Sequence, residues 1–303
     1  MTILVAGTLD DDEWRMWWPL LQAALPEERL VRGRVEDGDA ADIDVALVAN
    51  PPPGTLQGLP NLKLIQSLWA GVDKLLTDPT LPARVPIARM VDPAMTDAMA
   101  QTALWAVLAL HRGYFEYAAQ QRAGVWKQQS ALRRADEVTV AILGMGELGR
   151  RCARALAEQG YAVAGWSRGD GAAALPALLA RADIVLDLLP LTPATRGLFN
   201  ASTFAQMRRG AGFINLARGA HVVDADLLAA LDAGQLAHAV LDVFSTEPLP
   251  PAHPYWSHPR VTMLPHVAAP TDPRSAAPIA AANVRALRAG QPIANLVDRA
   301  RGY

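Results

Sequence analysis

Val138–Leu143 is an unbroken run, VTVAIL, of the kind expected for a short strand buried on both faces of a parallel sheet. From Leu148 to Gln159 the apolar positions change to helical spacing, and they stop at Gly160, which suits the left-handed position after a helix. Between the two lies Gly144-x-Gly146-x-x-Gly149, so strand, glycine turn and helix follow one another. The same alternation runs through the chain. Thr2–Ala6, Val45–Val48 and Leu62–Gln66 read as strands of a first series, and Trp14, Trp17, Trp18 and Leu21 recur at helical spacing as a core stripe. After the glycine turn, Tyr161–Trp166, Ile184–Leu189, Gly212–Ala217, Ala239–Val243 and Val261–Leu264 read as further strands, with helical segments at Asn200–Met207 and Asp224–Ala233. Strands alternating with helices predict α/β architecture with parallel, doubly wound sheets. A strongly apolar helix, Ala98–His111, separates the two series and puts the first domain crossing near Pro93–Asp97.

Composition narrows the class. A chain of 303 residues is long for one core, since single cores stop growing near ~250–300 residues, so two domains are expected. Half the residues are hydrophobic and the formal charge is −2, which argues against disorder and gives no basic excess for nucleic acid or an anionic membrane. The start, MTILVAG followed by Asp10–Glu13, has neither the basic nor the long apolar region of an export signal. Ala103–Leu110 is far short of the ~20 apolar residues that span a bilayer. Cys152 is the only cysteine and reads as a packed small residue on the helix after the turn; a cytoplasmic location fits.

The chemistry starts at the glycine turn. Gly144 would allow a tight turn, Gly146 would let a pyrophosphate approach the backbone, and Gly149 would let the helix pack on the strand, with phosphates at the helix N-terminus. This is the pattern of a dinucleotide site. An NAD site usually carries an acidic residue ~20 positions beyond the fingerprint. Ser167 stands in that neighbourhood instead, and with Arg168 it would accept the extra phosphate of NADP, unless Arg168 is a plain surface residue. Ser67-Leu68-Trp69-Ala70-Gly71-Val72-Asp73 follows a strand end, where it is either a ligand loop or a tight helix entry. Arg218, Asp242, Glu247 and His266 all fall at or beyond carboxyl ends of strands, which converge on one crevice in this architecture; taken singly, each could be structural. Together a histidine to move a proton, a carboxylate to hold its protonated form and an arginine to grip a carboxylate describe reduction of a keto acid. His111, His221, His238, His253 and His258 have no metal-ligand spacing, so no metal is expected.

Asn215-Leu216-Ala217-Arg218-Gly219, Leu241-Asp242-Val243-Phe244-x-x-Glu247-Pro248-Leu249 and Pro265-His266-Val267-Ala268-Ala269 resemble the D-2-hydroxyacid dehydrogenase family almost end to end. Within it, Trp166-Ser167-Arg168, His221-Val222-Val223 and the closing Val297–Tyr303 are most similar to the glyoxylate/hydroxypyruvate reductase A group. The resemblance implies a Rossmann cofactor domain (96–271) inserted in a flavodoxin-like substrate domain (1–95 and 272–303), the chain returning through a helix around Ala276–Arg288. It implies NADPH-dependent reduction of small 2-keto acids such as glyoxylate and hydroxypyruvate, with NAD admitted as a second cofactor. His266 would give the proton, Glu247 would orient it, and Arg218 would bind the substrate carboxylate together with the amides around Trp69, Ala70 and Gly71. Cofactor contacts would run through Gly144, Met145, Gly146, Glu147, Leu148 and Gly149, through Ser167 and Arg168, through Leu189 and Pro190, and through Ala217 and Asp242. Trp69 departs from the small residue many relatives carry there and would narrow the pocket. Members are typically homodimers paired through the cofactor domain. Relatives of this fold also serve as cofactor-sensing corepressors, the reading from a different functional class.

Overall fold

The computed structural model describes residues 2–33, 40–129 and 133–303. The chain divides into two compact units, Met1–Met95 with Thr271–Tyr303, and Thr96–Pro270. The first unit opens with strand β1 (Thr2–Gly7), helix α1 (Asp11–Ala24) and strands β2 (Arg29–Arg32), β3 (Ile43–Ala49) and β4 (Leu64–Ser67). A single helical turn α2 (Asp73–Leu76) and the short strand β5 (Ile87–Ala88) complete this part. The strand order is β2-β1-β3-β4-β5 with parallel pairing throughout, the doubly wound order of flavodoxin-like sheets. Alternation decides what each face buries: Ile3, Val5, Val45 and Leu47 pack against α1, whereas Leu4, Ala6, Ala46 and Val48 pack against Leu56, Leu59 and Leu75. Trp14 and Trp17 of the tryptophan stripe are core, and Trp18 lies partly buried, edge-on to Trp14.

Helix α3 (Pro93–His111) contains the division between the units and is followed by α4 (Tyr114–Arg122). The second unit continues as β6 (Thr139–Leu143), α5 (Glu147–Glu158), β7 (Ala162–Trp166), α6 (Ala174–Arg181), β8 (Ile184–Asp187), α7 (Ala201–Gln206), β9 (Ala211–Asn215), α8 (Asp224–Asp232), β10 (Leu236–Leu241) and β11 (Val261–Met263). Its parallel sheet has the order β11-β10-β9-β8-β6-β7. The chain steps from β6 outward to β7 and then crosses to the other side of β6 to form β8. The crevice between the ends of β6 and β8 is therefore the switch point at which such sheets hold ligands. Val140, Ile142, Leu186, Ile214 and Val240 bury one sheet face against α3 and α5; Leu143, Val185, Phe213 and Leu241 bury the other against α6, α7 and α8.

Helix α9 (Pro273–Arg288) belongs to the first unit and starts on an Asp272 cap that accepts from the Arg274 N–H. Its small residues Ala276, Ala277, Ala280 and Ala281 are buried in the core that contains α1. Arg288 fastens its end, donating to Glu28 at 2.6 Å and to Asp44 at 2.9 Å.

Candidate active site

In the second unit, the site can be built strand by strand from the carboxyl edge of the sheet. Gly144, just past β6, has φ +106°, and a Cβ there would stand 2.5 Å from the Leu188 carbonyl oxygen, so only glycine fits. A Cβ on Gly149 would meet the Gly144 oxygen at 1.9 Å, whereas one on Gly146 would meet nothing within 4 Å. The turn is thus closed on its two flanks and open at its centre. Gly146 caps α5 without a side-chain hydrogen bond, leaving the first-turn amides of a twelve-residue helix to a ligand. That donor set fits a pyrophosphate. Met145 turns inward instead, its side chain filling the space beside Gly165 on β7; Leu148 joins the core, and Glu147 is paired with Arg150.

At the end of β7, the Trp166 carbonyl accepts from the Gly144 N–H at 2.8 Å, which places Ser167 and Arg168 beside the glycine turn. At the end of β8 stands Asp187, fully buried. Its Oδ1 accepts from the Leu189 N–H at 3.0 Å, and its Oδ2 pairs with Nδ1 of the equally buried His221 at 2.6 Å. This carboxylate joins the Leu189–Pro190 turn to the turn that carries Arg218. His221 Nε2 has no hydrogen-bond partner among the described residues, so the Asp187 carboxylate is what orients this buried ring. The tie between Asp187 and His221 was not evident from sequence: an aspartate inside an apolar run was the only signal.

Buried Asn215, the last residue of β9, shapes the next turn, accepting from the Ala217 N–H at 3.0 Å and donating to the Arg218 carbonyl at 2.9 Å. Arg218 Nη1 donates to the Ala217 carbonyl at 2.6 Å. A Cβ on Gly219 would stand 1.9 Å from the Phe244 carbonyl carbon, so this turn lies directly against the loop after β10. In that loop Glu247 accepts from the Phe244 N–H through Oε1 at 2.9 Å and holds His266 Nδ1 through Oε2 at 2.9 Å. The Nδ1 bond leaves Nε2 as the ring nitrogen for transfer. Asp242 braces the histidine from below: its carbonyl accepts from the His266 N–H at 2.8 Å, and its two carboxylate oxygens accept from Val267 and Ala268 at 2.7 and 3.0 Å. Burial raises the Asp242 carboxyl above the usual range, against the pull of those two amide bonds and of His266. His266 itself has φ 56°, a left-handed backbone uncommon outside glycine, and the Asp242 clamp sustains it.

In the first unit, Ser67 pins the loop after β4, its hydroxyl donating to the Trp69 carbonyl at 2.9 Å and accepting from the Trp69 N–H at 3.1 Å. The Trp69 ring lies edge-on to Trp17 with centroids 5.7 Å apart, drawn onto this unit's own core. The amides of Ala70 and Gly71 have no hydrogen-bond partner among the described residues, and the loop runs directly into α2, so it is both an amide-bearing loop and a helix entry. Cys152 is buried, and burial pushes its thiol up to about 12, which makes it a packing residue and not a nucleophile. Among the described residues no cluster of His, Cys, Asp and Glu could hold a metal ion, and no helix is long and apolar enough to cross a membrane.

A glycine turn open at Gly146 and a Glu247–His266 pair, both at the carboxyl edge of one parallel sheet, suit a nicotinamide-dependent dehydrogenase. Residues 104–268 match the family described as D-isomer specific 2-hydroxyacid dehydrogenase, NAD binding domain, and the chain belongs to that family. It is 42% identical to glyoxylate/hydroxypyruvate reductase A of Yersinia enterocolitica, over 96% of this chain and 97% of that protein. Two solved structures are similar to it throughout. A D-isomer specific 2-hydroxyacid dehydrogenase from Xanthobacter autotrophicus Py2, in complex with NADPH and MES, superposes with TM-score 0.93 at 42% identity, covering 99% of this chain and 100% of that one. An NADPH-dependent glyoxylate/hydroxypyruvate reductase from Sinorhizobium meliloti, in complex with NADP and sulfate, gives TM-score 0.93 at 36% identity, covering 100% and 99%.

Proposed function

We propose that this protein reduces small 2-keto acids, glyoxylate and hydroxypyruvate among them, to 2-hydroxy acids with NADPH as the preferred cofactor. The observation that carries this reading is the His266–Glu247 pair, held at 2.9 Å on a left-handed histidine that Asp242 clamps in place. When bound, a reduced nicotinamide supplies the hydride that the keto carbon receives. His266 gives the proton from Nε2 to the keto oxygen, so that carbonyl plus hydride plus proton becomes the hydroxyl. Glu247 fixes the ring by its Nδ1 bond and offsets the positive charge that the ring carries before transfer. Arg218 grips the substrate carboxylate and draws electron density toward the keto oxygen. Trp69, Ala70 and Gly71 are assigned to substrate contact on the strength of their motif and of the unpartnered Ala70 and Gly71 amides.

The glycine-turn amides, with Leu189, Pro190 and Ala217 on the neighbouring strand ends, would hold the cofactor, and Ser167 with Arg168 would favour a 2′-phosphate over a bare ribose. Pairing of two copies through the second unit belongs to the same proposal; the exposed Trp105, Tyr114, Val125 and Trp126 on and after α3 and α4 support it. The test is turnover of glyoxylate and hydroxypyruvate with each reduced cofactor. One charge-assisted phosphate contact contributes ~1.5–3 kcal/mol, so kcat/KM with NADPH should exceed that with NADH by about tenfold or more, and Arg168→Ala should remove most of the difference. Equal efficiency with both cofactors would sink the NADPH assignment; no turnover with either would sink the reductase.

A further inference from the structure

Ser167, the residue that replaces the usual acidic one at the end of β7, already has its donors engaged. Its backbone N–H and its hydroxyl both donate to one oxygen, Asp170 Oδ2, at 2.7 and 2.8 Å. Two donors converging on a single anionic oxygen is also what a phosphate oxygen would require at this position. The surrounding loop makes the arrangement definite: the Asp170 N–H donates to the Ser167 carbonyl at 3.0 Å, and Trp166 Nε1 donates to the Gly171 carbonyl at 3.1 Å. The Ser167 hydroxyl, and then its amide, hold the Asp170 carboxyl below the usual carboxylate range, so it is an anion at neutral pH. Asp170 is exposed, and the two Ser167 donors hold its side chain in this position.

We propose that Asp170 is a specificity-determining residue: its carboxylate occupies the Ser167 donors that a cofactor 2′-phosphate would take, and it must give them up for a 2′-phosphorylated nucleotide to bind. The conflict is one of charge as well as of space, because a phosphate of about −1.5 to −2 meets a carboxylate on the same two donors. A ribose with a free 2′-hydroxyl brings no such charge. Asp170 therefore lowers the preference for NADPH below what Ser167 and Arg168 alone would give, and the chain becomes less exclusive between the two cofactors. This inference rests on the NADPH reading of the same site.

The experiment is calorimetric titration of the full chain, as wild type, Asp170→Asn and Asp170→Ala, with 2′,5′-ADP and with 5′-ADP, which needs no turnover. Asp170→Ala should bind 2′,5′-ADP roughly five- to tenfold more tightly than wild type, a gain of the size expected when a competing charge-assisted contact is removed. Asp170→Asn keeps an acceptor without the charge and should fall between them, while 5′-ADP affinity should move by less than about twofold across the three. Unchanged or weaker 2′,5′-ADP binding in Asp170→Ala overturns the inference, and an equal gain for 5′-ADP shows a general change at the site and overturns it too. The wild-type ratio of the two nucleotides tests the underlying reading separately. A preference that appears only in Asp170→Ala supports the inference while refuting NADPH preference in the natural chain, and a failure of all three proteins to tell the nucleotides apart refutes both.

Discussion

His266 keeps 51% of its side chain in solvent with Nδ1 on Glu247, whereas His238 on β10 is 5% exposed, stacked on Phe115 with centroids 4.3 Å apart and bonded through Nε2 to Thr262 at 2.9 Å. The buried ring is kept neutral. Burial first, then the nearby His258 and Arg260, bring His238 down to about 4 from an ordinary value of 6.5. The consequence for stability has a definite sign: below the unfolded value the unfolded chain takes up a proton that the folded chain refuses, so stability falls as pH drops from about 6.5 toward about 4. The full loss from this one group is on the order of 3 kcal/mol. His238→Gln keeps an amide nitrogen near the Nε2 position and does not titrate. Denaturant unfolding at a series of pH values should show the variant losing about 2–3 kcal/mol less than wild type between pH 7 and pH 4. Parallel pH curves would show that His238 is not the group responsible.

The strand–turn–helix around Gly144 was legible because every local signal agrees: an apolar run, three glycines of which two have no room for a Cβ, and a helix ended by glycine. Other elements were not. Strands β2 and β5 span four and two residues, too few for alternation to register, and α6 carries Pro176, which reads as a break. Helix α3 begins a few residues earlier than the apolar spacing suggests, and α9 a few residues earlier than the family resemblance implies, each at a proline in the first turn. The strand-end positions of Arg218, Glu247 and His266 were readable, and the family motifs paired Glu247 with His266, but the backbone groups that hold these turns were not legible. Asp187 and His221 lie 34 residues apart and meet only because β8 and β9 pair side by side. Asp242 likewise turned out to brace the His266 turn through two backbone amides, a task no spacing reveals.

The Asp187–His221 tie carries an expectation at the same scale, since it joins two loops of the proposed site. Asp187→Asn leaves an acceptor for Leu189 but sets an amide N–H₂ against the imidazole N–H, or forces the ring into the tautomer with a buried, unpaired Nε2–H. A cost of about 1–3 kcal/mol should appear in the unfolding free energy. KM for the keto acid should rise more than kcat falls, because the Arg218 turn loses its anchor. His221→Asn, which places a donor near the Nδ1 position, should recover most of both losses relative to His221→Leu. Equal behaviour of Asn and Leu would mean that the buried hydrogen bond is not what holds the turn.

Across the whole molecule, each unit has its own parallel sheet buried on both faces, and residues 104–268, which match the family's NAD binding domain, fall wholly within the second unit. The first unit is closed by the returning chain: Asn283 of α9 donates to buried Gln66 at 2.7 Å, and Arg288 reaches Glu28 and Asp44. The return of α9 to the first unit was not legible from periodicity, which registers strands and helices without saying which sheet receives them. The proposed reaction makes a separate demand on the protein: the cradle must bind the cofactor whether or not a proton can be delivered. The most direct measurement is single-turnover oxidation of bound NADPH by glyoxylate in wild type and His266→Ala, with NADPH affinity taken from fluorescence titration of the same samples. Expected is a fall in the transfer rate of roughly 10²–10⁴-fold, the usual contribution of a positioned acid, with NADPH affinity changed by less than about twofold. Transfer at a near wild-type rate in His266→Ala, or loss of rate and cofactor affinity in equal measure, would contradict the assignment of His266 as the proton donor.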